Sequence, residues 1–313
     1  MTFDLNELRA AVKAHGTVSR IVVAATQGST PREVGASMLV WVDGQSGTIG
    51  GGRLEWDAVQ TAKETDAPKD RVQLFPLGPA LGQCCGGTVT LLTEHFDATR
   101  INDIDEQYFM RRVTGRQDAP LNLKRLLATS RNSGQTVGPI LDGGWFLEPV
   151  LKPTRPIWVY GAGHVGRAIV QVLAPFPDIT ITWVDTAADR FPDDIPDKVT
   201  TLIAANPAET AKYAPANAEH LILTYSHTID LELCHQLLGR DFASVGLIGS
   251  KTKWARFRSR LGQLGHGGAQ ISRITCPIGQ PELGKHPQAI AVSVATALLS
   301  VAREKESIKD RVG

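Results

Sequence analysis

The chain has 313 residues, with 33 Lys plus Arg against 32 Asp plus Glu and a formal charge of +1. That length exceeds what one compact core usually serves, so two domains are expected. The balanced charge leaves no broad electrostatic footprint, which excludes nucleic acid and an anionic membrane as expected partners.

The opening stretch "MTFDLNELRAAVKAHG" mixes charges into a helical pattern. It lacks the uninterrupted apolar core of a signal peptide, and a cytoplasmic location is expected. Next come strand patterns: "VSRIVVAAT" (18–26), "ASMLVWVDG" (36–44, ending in an Asp-Gly turn), "RVQLFPL" (71–77) and "TVTLLTEHF" (88–96). One helix interrupts them, starting near residue 53 directly after the glycines of "GTIGGG". From 98 to 134 the pattern turns polar and helical, and helices are expected over "INDIDEQYFMRRV" and "LNLKRLLATSR". "GPILDGGWFLEPVLKPTRP" then supplies glycines, prolines and one hairpin-like apolar strand, as a domain boundary does.

Beyond Pro156 short apolar strands alternate with helical stretches: "IWVY", "ITITWVD", "VTTLIA", "HLILTY" and "SVGLIG". Such alternation predicts parallel strands with right-handed crossovers in a doubly wound sheet. The apolar run 289–302 is too short to cross a bilayer and reads as a buried helix. The expected fold class is therefore α/β: an α+β domain with glycine-rich loops over 1–120, a helical segment and linker over 121–152, and a Rossmann-like domain over 153–313.

"GAGHVG" (161–166) follows an apolar strand and opens a helix, and Asp185 closes the second strand 19 residues after Gly166. This is the setting of a dinucleotide fingerprint. Gly161 makes the tight turn, Gly163 lets backbone approach a phosphate, Gly166 lets helix pack on strand, and His164 is placed to donate to an anion. Asp185 suits a ribose hydroxyl and hence NAD better than NADP. The same glycines also serve a sheet that binds nothing. At the end of the fourth strand "YSHTID" offers His227 and Asp230 as ligand-facing groups, with helix capping or core packing as the other reading.

The four cysteines, at 84, 85, 234 and 276, read as thiols. Cys84 and Cys85 stand side by side in "GQCCGG". A vicinal bridge strains the intervening peptide, and the spacing is not that of a zinc knuckle or a thioredoxin motif. A thiolate on a glycine-walled loop suits a soft metal or sulfur transfer. Cys85 is the stronger candidate, Cys84 reads equally as a small buried hydrophobe, and Gln83 is placed to meet a polar ligand edge. "TQGSTPREVGASMLV", with Arg32, and "GTIGGGRLEW", with Gly50, Gly51, Gly52 and Glu55, are expected to face the same place, the latter offering helix N-terminal amides to an anion.

In their order, "GSTPREVGASMLV", "GTIGGGRLEWDAV", "LGPALGQCCGG", "WFLEPV", "VYGAGHVGRAI", "LIGSKTKWARFRSRL" and "CPIGQPELGKHPQAIAVSVATALL" resemble the xanthine dehydrogenase accessory proteins of the XdhC/CoxI family over nearly the whole chain. The resemblance implies a chaperone that binds the molybdenum cofactor, protects it during sulfuration and passes it to apo xanthine dehydrogenase. It implies Cys85, then Cys84, as the thiol that contacts molybdenum or assists sulfuration, and Gly50, Gly51 and Gly52 as approaching the pterin or its phosphate. A cysteine desulfurase as a further partner and a homodimer follow as expectations from that role. "YSHTID" departs from an H-D-H-like run seen in relatives. Two other readings stand beside it: an NAD-dependent oxidoreductase built on "GAGHVG", and a nucleotide-sensing regulatory module.

Overall fold

The computed structural model describes residues 3–63, 70–77, 86–115, 117–133, 137–152 and 154–312, with side chains through residue 300. The chain divides into two compact units, Met1–Lys152 and Pro153–Gly313.

In the first unit, α1 (Leu5–His15) starts where the Asp4 side chain accepts the Asn6 and Glu7 amides, and it buries Leu5, Leu8 and Val12. An antiparallel sheet follows in the order β3 (Gly44–Gly47), β2 (Ser37–Trp41), β1 (Val18–Gln27), β5 (Thr88–Phe96), β4 (Arg71–Pro76). The run expected as a strand over 36–44 ending in an Asp-Gly turn is β2 followed by a turn at Val42 and Asp43, from which β3 folds back. Both faces of the central strand β1 are buried, and its alternation separates two cores. Ile21 and Val23 pack with Met38, Leu91 and Leu54 of α2 (Gly52–Lys63). Val22 and Ala24 pack with Leu92 and Phe146 on the other face.

One expectation is corrected here. "INDIDEQYFMRRV" does not form a helix: after a four-residue turn, α3 (Ala98–Ile101), its second half is β6 (Tyr108–Arg112). Asp105 accepts the Gln107 amide at 2.6 Å in a turn that leads into the strand, and strand alternation then puts Phe109 near Phe3 and Phe96, with Arg111 on the same face. Segment 121–152, expected as a helical segment and linker, has the expected helix and belongs to the first unit. It supplies α4 (Leu121–Ser133), β7 (Ile140–Asp142) and β8 (Trp145–Pro149), and β8 lies between β6 and β7 in a three-stranded sheet of the first unit. What draws β8 in is Phe146 and Glu148, both buried on one face.

The second unit is a six-stranded parallel sheet in the order β11 (Val199–Ile203), β10 (Ile179–Asp185), β9 (Arg155–Tyr160), β12 (Glu219–Ile222), β13 (Ser244–Leu247), β14 (Ile274–Thr275). Counted within the unit this is 3-2-1-4-5-6, the doubly wound Rossmann order. α5 (His164–Leu173) and α9 (Pro287–Val312) cover one face, where Ala291, Val294, Ala295 and Leu298 bury the apolar run read as a core helix. On the other face α6 (His227–Leu238), α7 (Lys251–Gln263) and the 3-10 segment Pro207–Tyr213 pack, and the short α8 (Gly268–Ile271) leads into β14. Strand order reverses between β9 and β12, which places the ligand crevice of such sheets beside the "GAGHVG" turn. Among the described residues no helix is long and apolar enough to cross a membrane.

Candidate functional site

In the first unit three glycine-bearing stretches meet. Gly87, the last residue of "GQCCGG", lies so close to the 27–29 turn that a Cβ on it would stand 2.5 Å from Ser29 O, and a Cβ on Gly28 would be 3.1 Å from Gly87 Cα. Leu77 N donates to Gly87 O at 2.8 Å, closing the base of the loop between β4 and β5. Further along the same turn, Arg32 Nη1 donates to Thr48 O at 3.4 Å and its Nε pairs with Glu33 at 3.6 Å. Gly50 (φ +124°) sits against Pro31, where a Cβ would come within 2.8 Å of the ring. The turn of "TQGSTPREVG" thus touches Gly87 on one side and Gly50 of "GTIGGG" on the other. Gln83, Cys84 and Cys85 themselves lie outside the described residues.

Glu55 plays another part than expected. From the first turn of α2 its Oε2 accepts Ile49 N at 3.1 Å, Gly51 N at 3.0 Å and Thr48 Oγ1 at 2.5 Å, while Oε1 accepts Gln45 Nε2 at 3.3 Å. Burial works against its ionisation, but the Thr48, Gly51, Ile49 and Gln45 hydrogen bonds outweigh it and hold the carboxyl below the ordinary glutamate range. Two of the loop amides expected to meet an anion are therefore already met by a carboxylate of the protein. Open space remains over Gly51, and the Arg32–Glu33 ion pair borders this rim. On α2 the Trp56 indole is 61% exposed. Sequence reasoning passed over it; a bulky aromatic one residue after Glu55, beside a glycine loop, was the available signal.

In the second unit the "GAGHVG" turn has the expected geometry. A Cβ on Gly166 would overlap Gly161 O, so only glycine lets α5 start this close to the strand. Gly163 is the helix N-cap, with nothing near the position its Cβ would take, and His164 is exposed. A cleft of about 220 Å³ is lined by Gly161, Gly163, His164, Gly166, Arg190 and Tyr225 among others. Asp185 is not turned to a ribose. It is 2% exposed, with Oδ2 accepting Ala162 N at 2.6 Å, Oδ1 accepting Thr186 N at 2.7 Å, and Arg190 Nε at 3.3 Å. The carboxylate braces the glycine turn, and the Arg190 guanidinium, lying 4.9 Å over the Tyr225 ring, is what borders the cleft.

Of the pair read from "YSHTID", His227 is exposed on the first turn of α6, its ring edge-on to Phe257. Asp230 is 1% exposed; it accepts Thr224 N at 3.0 Å and Lys253 Nζ at 2.6 Å, as a structural ion pair does. Cys234 is buried and its thiol is pushed up in pKa, first by burial and then by Asp230. Cys276 is half-buried and pushed up to about 11 by burial. Both are poor nucleophiles at neutral pH.

Residues 157–298 match the family described as the XdhC Rossmann domain, and residues 11–74 match the XdhC and CoxI family. The Escherichia coli (strain K12) uncharacterized protein YqeB is 28% identical over 174 residues, 55% of this chain but only 32% of its own length. A solved structure described as a xanthine dehydrogenase from Bacillus halodurans aligns over 96% of both chains, with a TM-score of 0.71 and 19% identity, which establishes a shared fold. A Rossmann-fold NAD(P)-binding family protein from Shigella flexneri aligns over 36% of this chain and 63% of its own, at 13% identity. Its TM-score of 0.28 is too low to carry its cofactor across.

Proposed function

The chain belongs to the XdhC and CoxI family, and from that premise we propose that it is a maturation factor for xanthine dehydrogenase, which carries the molybdenum cofactor and hands it to the apoenzyme. The observation that supports this most is the meeting of the three glycine-bearing stretches at one rim of the first unit, around Arg32, Gly50, Gly51, Gly52 and Glu55. A large flat ligand needs bare backbone to approach closely, and a pterin phosphate would compete with Glu33 for Arg32. Trp56 offers an aromatic face nearby in sequence. Cys85 is separated from Gly87 by one residue, and a soft thiolate there would meet molybdenum or assist sulfuration. Glu55 then serves as the group that shapes the rim. Apo xanthine dehydrogenase is the proposed recipient, a cysteine desulfurase the proposed sulfur source, and a homodimer the proposed assembly.

The test is co-elution of the purified chain with freshly released molybdenum cofactor, with molybdenum and oxidised pterin quantified per chain. Near-stoichiometric retention that falls in Cys85→Ala is expected. No retention by the unaltered chain would refute the reading.

A second reading, an NAD-dependent oxidoreductase, is favoured by the cleft beside "GAGHVG". With Asp185 committed to the turn and Arg190 at the border, a phosphate-bearing nucleotide suits this cleft better than an unmodified ribose. Calorimetric titration with NAD, NADP and ATP decides it; heat with none of them would remove the reading.

A further inference from the structure

The near-zero net charge hides one strongly uneven stretch. Between Asp241 and Glu282 the chain has six Lys or Arg and no Asp or Glu, which leaves the other residues with all 32 acids against 27 bases. Five of the six lie on α7, which buries Phe257 and Leu261 and turns its opposite side to solvent. Lys253 points inward, to Asp230 at 2.6 Å. Lys251, Arg256, Arg258 and Arg260 are exposed, and among the described residues none of them is in an ion pair. Arg260 donates to Gln263 at 3.3 Å. At about 100° per residue, Arg256 and Arg260 follow one flank of the outward side, and Lys251 and Arg258 follow the other. Between the two rows run Thr252, Ala255, Ser259 and Gly262, all exposed. Beside them a groove of about 370 Å³ opens between α7 and α8, lined by Ala255, Arg258, Ser259, Gly268 and Ile271. Nothing stands where a Cβ on Gly262 or Gly268 would go.

We propose that this face of α7 docks an acidic α-helix of a protein partner, one that carries carboxylates on both sides of a narrow strip of small side chains. Small residues let two helix axes come within about 8 Å. At that distance the flanking guanidiniums reach carboxylates on either side, with which arginine forms paired hydrogen bonds. Charge complementarity chooses the chemistry of the partner: Arg256 and Arg260 repel each other one turn apart, and acidic side chains laid along them relieve that repulsion. The rest of the chain chooses its size. An extended polyanion, whether nucleic acid or lipid surface, would run on from the patch over a net-negative remainder, whereas a short helix stays within the roughly 8 Å over which a charge is felt at physiological salt. The exposed residues of α7 also include no aromatic ring on which a base would stack. Such docking is independent of whether the first unit carries the molybdenum cofactor.

The experiment uses the full chain with any affinity tag removed and a fluorescein-labelled helical peptide of Ala and Glu, its Glu residues on both sides of an Ala strip. A second peptide has the same composition in scrambled order. Fluorescence polarisation is expected to show saturable binding of the ordered peptide that weakens as salt rises. It is expected to weaken about tenfold or more in Arg256→Gln/Arg260→Gln and in Lys251→Gln/Arg258→Gln. Ala255→Trp leaves every charge in place but fills the strip, and it is expected to weaken the ordered peptide by a similar factor, which attraction by charge alone would not produce. All of these side chains are exposed, so the variants are expected to keep the melting temperature of the unaltered chain. Absence of binding, equal affinity for the ordered and scrambled peptides, or full affinity in the variants would overturn the proposal. So would tighter binding of a single-stranded oligonucleotide or of phosphatidylglycerol vesicles than of the peptide, or a dimer, seen by light scattering, that Ala255→Trp splits.

Discussion

Gly50 and Gly51 are neighbours in one loop, yet they tolerate a side chain differently. Gly50 takes φ +124°, a region almost closed to other residues, and a Cβ there would press on Pro31 at 2.8 Å. Gly51 takes φ +72°, the left-handed region, with open space where a Cβ would go. Gly51→Ala is therefore expected to cost about 1 kcal/mol and Gly50→Ala about 2 kcal/mol or more, because only the second must also push Pro31 and Arg32 aside. Urea unfolding of the two variants checks the order, and equal costs would show that the turn yields freely. The glycine run was legible as a place where backbone must come close. What filled the loop's amides was not, since Glu55 reaches back from the helix and nothing in "GGGRLEW" separates that use from an open anion site.

At the scale of elements, the first unit turns on charges its strands bury together. Arg20 of β1 is 1% exposed and bonds both oxygens of Glu148 of β8, at 2.7 and 2.8 Å. Arg111 of β6 bonds Glu148 at 2.8 Å and Glu94 of β5, and Arg20 also faces Glu94 at 3.7 Å. This square of two arginines and two glutamates links the five-stranded sheet to the three-stranded one. Burial alone would raise the Glu148 pKa, but Arg20 and Arg111 outweigh it and hold the carboxyl below its ordinary range. Arg20→Met is expected to cost about 3–5 kcal/mol, most of it for a buried carboxylate left with half its partners. Adding Glu148→Leu is expected to recover much of the loss, because a packed apolar pair replaces a buried ion pair at little cost. Chemical denaturation of single and double variants reads this; a double variant no better than Arg20→Met would mean the charges set the strand pairing itself. The same square explains why β6 escaped the sequence. "YFMRR" shows no apolar–polar alternation, and Arg111 sits inside only because Glu94 and Glu148 wait there, 17 and 37 residues away along the chain. The Rossmann strands were legible because a parallel sheet covered on both faces writes itself as apolar runs.

For the molecule as a whole, each unit carries its own core and its own buried titratable groups, so acid weakens them in sequence. In the second unit His220 is 1% exposed, packed with Trp158, Tyr160 and Phe242, and burial lowers its pKa to about 4. The unfolded chain, with an ordinary histidine near 6.5, takes up this proton first. Stability from neutral His220 is thus complete above about pH 6.5 and drains as pH falls toward 4, by about 3 kcal/mol in all. His266 in the same unit and His95 in the first are lowered by burial too and add slopes of the same sign. Glu148 works in a lower window: its depressed pKa gives stability present above the ordinary glutamate value and lost only as pH falls through the folded one. Calorimetry from pH 7 to 4.5 is expected to show the second unit losing stability first, with His220→Phe flattening that decline. The phenyl ring suits the aromatic surroundings, and it leaves the Tyr160 hydroxyl without its 3.2 Å contact to Nδ1, so the variant starts lower at pH 7 while changing less with acid. An unchanged slope in that variant would place the acid sensitivity elsewhere in the chain, with His95 and His266 the next groups to replace.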